Sequence, residues 1–136
     1  MISRIEAKNY RSLKYIDQPL ESFHVLVGPN ASGKTTFMDV VSFLADIVKS
    51  GIDVAIQNRS ANYRHLTFSS KGGDIELAIE IHIADNIKRH LDNRFDRIRY
   101  EISIGLSEET QEHAIKEERV VLLNSHLIHG SFGSIT

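Results

Sequence analysis

Residues 28–36, Gly-Pro-Asn-Ala-Ser-Gly-Lys-Thr-Thr, restrict what this chain can fold into more than any other stretch. Gly28, Gly33, Lys34 and Thr35 fall on the spacing G-x-x-x-x-G-K-[ST]. Glycines at those places let the backbone curl until successive amides point inward at phosphate oxygens. A helix opening near Lys34 adds its positive end. In that arrangement Lys34 reaches between the β- and γ-phosphates and the Thr35 hydroxyl completes a magnesium shell. Thr36 and the amides of Asn30, Ala31, Ser32 and Gly33 then hold the α- and β-phosphates. A chance match in a chain this long has a frequency of about 1% or less from average residue usage. The flanks carry the context such a loop needs, a buried strand before it and an amphipathic helix after it.

The strand is expected at residues 23–27, Phe-His-Val-Leu-Val, a compact apolar run of the kind buried on both faces. The helix is expected from about Lys34 to Lys49, where Phe37, Val40, Val41, Leu44, Ile47 and Val48 recur at helical spacing opposite Asp39, Ser42, Asp46 and Lys49. Ser50-Gly51 supplies the stop. Upstream, residues 2–7 and 13–16 read as short strands joined by the turn Asn9-Tyr10-Arg11-Ser12. Downstream, Ile75, Leu77, Ile79, Ile81 and Ile83 alternate with Glu76, Ala78, Glu80 and His82. Ile98, Tyr100, Ile102, Ile104 and Leu106 alternate likewise with Arg99, Glu101, Ser103 and Gly105. Period two marks both as half-buried strands. Residues 85–96 join them as a loop with at most one helical turn, and residues 120–123 make a last strand.

A length of 136 residues suits one domain, with residues 1–51 as the phosphate-loop core and 65–124 as antiparallel strands. Hydrophobic residues at 41% and charged ones at 25% are ordinary for a chain that buries a core. A net charge of −2 speaks against a domain wrapped in nucleic acid by bulk charge. The absence of cysteine removes disulfides, thiolate metal sites and cysteine nucleophiles. Arg4, Glu6 and Lys8 interrupt the N-terminal apolar residues, unlike a signal peptide, and no run approaches the ~18 apolar residues of a membrane span. The expected location is the cytoplasm, with no membrane partner.

The stretch Ile-Ser-Arg-Ile-Glu-Ala-Lys-Asn-Tyr-Arg-Ser-Leu at residues 2–13, followed by residues 23–27 and the loop, resembles the N-terminal lobe of RecF, SMC and OLD-type ATPases. These are ABC-class enzymes of DNA repair, chromosome handling and phage defence. The resemblance is detailed over the first 50 or so residues and weaker over the later strands. It implies an α/β P-loop NTPase lobe in which one long helix packs on a mixed sheet and an antiparallel β-sheet follows. It implies ATP with Mg2+ as ligand, held by Gly28, Asn30, Ala31, Ser32, Gly33, Lys34, Thr35 and Thr36, with Thr35 toward the metal. It carries over Asn9, Arg11 and Ser12 as contacts beside the nucleotide, Arg11 foremost. Ala31 stands where the family's loop has a glycine. Tyr10 lies 24 positions before Lys34, the distance at which ABC transporter ATPases place an aromatic on adenine. Packing on the core edge is the other reading for that tyrosine.

Function read this way is the ATP-binding lobe of such an ATPase. An ABC transporter subunit and a non-catalytic nucleotide-binding protein are the alternatives. The implied partners are a second copy across sandwiched ATP in the full-length protein and a nucleic acid or nuclease. Residues 120–123 are followed by Asn124-Ser125, not Asp-Glu, and Leu106-Ser107 is followed by Glu108-Glu109, which repels phosphate. The hydrolytic acids, the signature and the glutamine that senses γ-phosphate are therefore unassigned, as expected of an N-terminal piece of a longer ATPase. Lys88, Arg89, Arg94, Arg97 and Arg99 form a basic stretch that reads either as a phosphate-backbone contact or as a solvated loop with ion pairs. His126 and His129 are a weak metal pair.

Overall fold

The computed structural model describes residues 2–19, 31–90 and 95–124, with residues 31–37 described by their backbone alone. The expected strand at residues 23–27 and the pair His126 and His129 lie outside these. The two alternating segments become β3 (Ile75–His82) and β4 (Arg97–Leu106). They sit in one sheet with β1 (Ile2–Tyr10), β2 (Leu13–Pro19) and β5 (His113–Leu123). The order is β2-β1-β3-β4-β5. All four pairings among the described residues are antiparallel, where the sequence suggested a mixed sheet and a separate antiparallel one. Strand β1 joins the two halves: Ile5 faces Ile79 and Ala7 faces Leu77. The helical turn expected between β3 and β4 is α3 (Asp85–Lys88).

On one face the sheet presents Ile5, Ala7, Ile75, Leu77, Ile79, Ile102 and Ile104 to two helices. Helix α1 (Ala31–Ser50) contributes Val40, Phe43, Leu44 and Ile47, and α2 (Ile52–Gln57) contributes Ala55 and Ile56. Each such side chain removed from water adds about 1.5–3 kcal/mol before entropy is set against it. Helix α1 begins three residues earlier than its apolar stripe indicates. It ends at the predicted stop, where Gly51 takes φ 88° and its N–H donates to the Ile47 carbonyl at 2.9 Å. Two 3-10 turns, Tyr63–Leu66 and Phe68–Ser70, then lead into β3. Buried Tyr63 fastens this segment by donating its hydroxyl to the carbonyls of Gly73 at 2.6 Å and Ile104 at 2.9 Å. Burial, with the charge of Asp74, pushes its phenol up to about 12.

The other face differs from expectation. The alternation predicts exposed charges, yet Glu6, Glu80, Arg99 and Glu101 are all buried. Cross-strand register explains it, because Arg4, Glu80 and Arg99 are neighbours across three strands, and Glu6, Ala78, Glu101 and Arg119 across four. Arg99 reaches three carboxylates: Glu101 at 2.7 Å, Glu80 at 2.8 Å and Glu6 at 3.0 Å. Arg97 adds to Glu80, Arg119 to Glu101 and Asp17 to Arg4, so four cations meet four anions. Burial pulls the Arg99 guanidinium toward neutrality, but the hydrogen bond it donates to Glu101 and the charge of Glu6 more than offset it and its pKa rises. Two arginines of the basic stretch are thus used inside the sheet. Among the described residues no helix is long and apolar enough to cross a membrane.

Candidate functional site

The site is built where the β1–β2 turn meets α1. Arg11 and Ser12 are the two residues between paired Tyr10 and Leu13. Asn9 and Arg11 both take positive φ, 62° and 51°, values that asparagine tolerates better than most residues. The Asn9 twist breaks the alternation of β1. Tyr10 would otherwise follow Lys8 and Glu6 to the charged face, but it is fully buried on the helix side. Its ring stacks on Phe43 of α1, with centroids 5.3 Å apart and planes 12° from parallel. This is the core-edge reading of Tyr10, and the ring has no face open to a base.

Asn9 is occupied as well. Its amide donates to the carbonyls of Gly72 at 3.1 Å and Asp74 at 3.0 Å, and its oxygen accepts from the Phe68 N–H at 3.1 Å. Those bonds pin the segment before β3 to the turn, and the Arg11 N–H adds another to the Leu66 carbonyl at 2.7 Å. Asn9 therefore shapes the turn. Ser12 is exposed at its tip.

Asp39, on the first half of α1, collects the polar groups of this junction. The Tyr10 hydroxyl donates to its Oδ2. Arg59, just beyond α2, donates from Nε to Oδ1 at 3.2 Å, and its Nη1 reaches Asp46 at 2.8 Å and the Ala55 carbonyl at 3.0 Å. Arg11 Nε lies 3.5 Å from Asp39 Oδ2, with the Arg11 side chain 35% exposed. Burial, then the hydrogen bond to Asp39, raises the Tyr10 phenol well above its ordinary value, so it stays a donor. The sequence placed Asp39 only on the polar stripe of α1 and passed over Arg59. Residues 39 and 59 meet through the α1–α2 turn, for which the sequence carries no local signal.

Of the phosphate-loop residues, Gly28 and Asn30 lie outside the described residues, while Ala31, Ser32, Gly33, Lys34, Thr35 and Thr36 form the opening of α1. The first four N–H groups of a helix have no partner within it. No acidic residue stands in this first turn, and Lys49 stands in the last. Charge along α1 therefore leaves its N-terminal end positive, as an anion requires. Positions 35 and 39 are four residues apart on α1, hence on one face and about 6 Å apart along the axis. Arg11 docks on that face, one turn from the motif.

Asp85 opens α3 at the surface, and Asn124 follows the edge strand β5. Leu106-Ser107 runs into a turn closed by the Ser107 N–H donating to the Glu112 carbonyl at 2.8 Å. No group of three metal-ligating side chains occurs among the described residues.

A solved structure of SMC ATPases, described for ATP-driven dimerization and DNA-stimulated activation, covers 88% of this chain at 22% identity with a TM-score of 0.49, the match spanning 71% of that chain. Structural maintenance of chromosomes protein 1 of Schizosaccharomyces pombe is 33% identical over 70 residues, which are 50% of this chain and 5% of that protein. The OLD nuclease of Thermus scotoductus is 41% identical over 44 residues, 32% of this chain and 8% of the nuclease. The chain thus spans less than a tenth of either curated relative. A family model described as AAA ATPase domain matches residues 1–127, nearly the whole sequence, and the chain belongs to that family.

Proposed function

We propose that this chain is the ATP-binding lobe of a RecF, SMC or OLD-type ATPase and holds the phosphates of Mg2+-ATP at the N-terminal end of α1. The observation that carries the proposal is Gly33-Lys34-Thr35 standing in the opening turns of a twenty-residue helix, within a family of ATPase domains. Amides at the start of α1 face the phosphates, Lys34 neutralises the β- and γ-oxygens, and Thr35 is the protein's magnesium ligand. Arg11 is the further cation at this end, and Ser12 stands beside it. Gly28 and Asn30 complete the loop. Residues 1–51 supply the nucleotide core together with strands β1 and β2, and 65–124 the other three strands of the same sheet, with the hydrolytic acids lying elsewhere in a longer protein. The SMC and OLD relatives, named for chromosome maintenance and for a nuclease, favour work on nucleic acid over service to a membrane transporter. Pairing of two copies across ATP and a cytoplasmic location belong to the same reading.

Lys34→Ala tests the phosphate site. Titration of Mg2+-ATP is expected to give measurable binding to the parent and none to the variant, because Lys34 carries the compact charge aimed at the β- and γ-phosphates. Equal affinity in the two proteins refutes the assignment.

A further inference from the structure

Arg11 meets Asp39 in an uneven way. The contact runs through Nε at 3.5 Å, and the two terminal amino groups make no hydrogen bond or ion pair to any described residue. Asp39 itself is fixed independently of Arg11. It sits on α1, accepts from the Tyr10 hydroxyl, and is bonded by Arg59, whose guanidinium lies 5.0 Å over the Phe43 ring with its side chain only 8% exposed. The turn that carries Arg11 is held as rigidly, by the Asn9 side chain and by the Arg11 N–H on the Leu66 carbonyl. The Arg11 guanidinium lies over the Tyr10 ring, 5.8 Å from its centroid, and its two terminal amino groups keep the donors with which arginine binds two phosphate oxygens at once.

We propose that Asp39 is a positioning residue that aims Arg11 at the phosphates of the bound nucleotide. The inference rests on the reading that ATP binds at the N-terminal end of α1. Its sign is distinctive. A carboxylate one turn from a phosphate site repels the ligand through space, so electrostatics alone predicts that neutralising Asp39 tightens binding. Positioning predicts the reverse, since an unanchored Arg11 loses the orientation that lets its fork bind.

The test is Mg2+-ATP affinity by calorimetry for the parent, Asp39→Asn, Arg11→Ala and the double variant, with the thermal midpoint of each free protein recorded. The expected result is a loss of about 10-fold in Arg11→Ala. Asp39→Asn should lose about 3-fold or more, and should have no further effect when Arg11 is already alanine. Asp39→Glu, which keeps the charge, should restore part of the affinity. If Asp39→Asn does not fold, Tyr10→Phe, which frees Asp39 from its hydroxyl partner, replaces it and should weaken binding only when Arg11 is present. Unchanged or tighter binding in Asp39→Asn overturns the proposal, as does an equal loss with and without Arg11. Parent-like affinity in Arg11→Ala removes the Arg11 contact and the positioning role with it. Failure of the parent to bind ATP would instead overturn the nucleotide site.

Discussion

Replacing Arg99 by methionine removes the cation at the centre of the buried charge network while keeping most of the side-chain volume. Three carboxylates lose a partner at 2.7 to 3.0 Å. Each retains another, though at unequal distance: Arg119 stays at 2.5 Å from Glu101 and Arg97 at 3.2 Å from Glu80. Arg4 is 3.8 Å from Glu6, whose side chain is 0% exposed. Breaking a buried ion pair from one side costs about 3–5 kcal/mol, because the remaining charge stays desolvated. Against a total stability of about 5–15 kcal/mol that is a large share. With no tryptophan in the chain, far-UV circular dichroism in urea is the suitable probe. At a slope of about 2 kcal/mol per molar, a loss of about 4 kcal/mol lowers the midpoint by about 2 M. The control is Lys8→Met, which breaks the exposed 3.6 Å pair with Glu76 and should cost at most about 1 kcal/mol. If Arg99→Met also costs less than about 1 kcal/mol, the carboxylates are reached by water and the network is not desolvated.

The 136-residue chain is expected to bind Mg2+-ATP yet turn it over far below the ordinary enzymatic range of about 1 per second, which a phosphate-release assay measures; turnover at or above that rate would mean that its catalytic acids lie within this sequence. Stability is expected to fall as pH rises from about 10 to about 12. Tyr63 keeps its proton in the folded chain up to about 12, whereas the unfolded phenol loses it near 10.0, so the unfolded state is the one stabilised by base in that window. Denaturant melts at pH 9 and pH 11 check this, and Tyr63→Phe should lessen the drop; an equal drop in parent and variant would exclude Tyr63 as a source.

Local patterns were legible where a single period or spacing sufficed. The isoleucine alternation located β3 and β4, the apolar stripe and Gly51 located α1, and the loop motif located the candidate site. What escaped depends on residues far apart. Burial of Glu80 and Arg99 follows from register between strands, and an alternating pattern treats such charges as solvent-facing. The first half of β5 carries no strand signal in the sequence, because an edge strand with one neighbour needs no apolar alternation to pair. Tyr10 left its expected face because of one left-handed residue, Asn9. The meeting of Arg11 with Asp39 across 28 residues of sequence has no local mark at all.

The place of β1 between β2 and β3 bears on how the chain is made. When β1 leaves the ribosome, its hairpin partner β2 follows at once, but its other neighbour ends at His82. Roughly 70 residues must be added in between, which takes about 4–14 s at ordinary synthesis rates of 5–20 residues per second. During that interval one hydrogen-bonding edge of β1 is bare, and Ile5 and Ala7 lack Ile79 and Leu77. A two-stranded hairpin is marginal in water. The nascent chain therefore depends on α1, synthesised after β2, to shelter Ile5, Ala7 and Tyr10 until β3 arrives. Substitutions at Phe43, whose ring stacks on Tyr10, should then lower the yield of folded protein in cells more than they lower the stability of the finished fold.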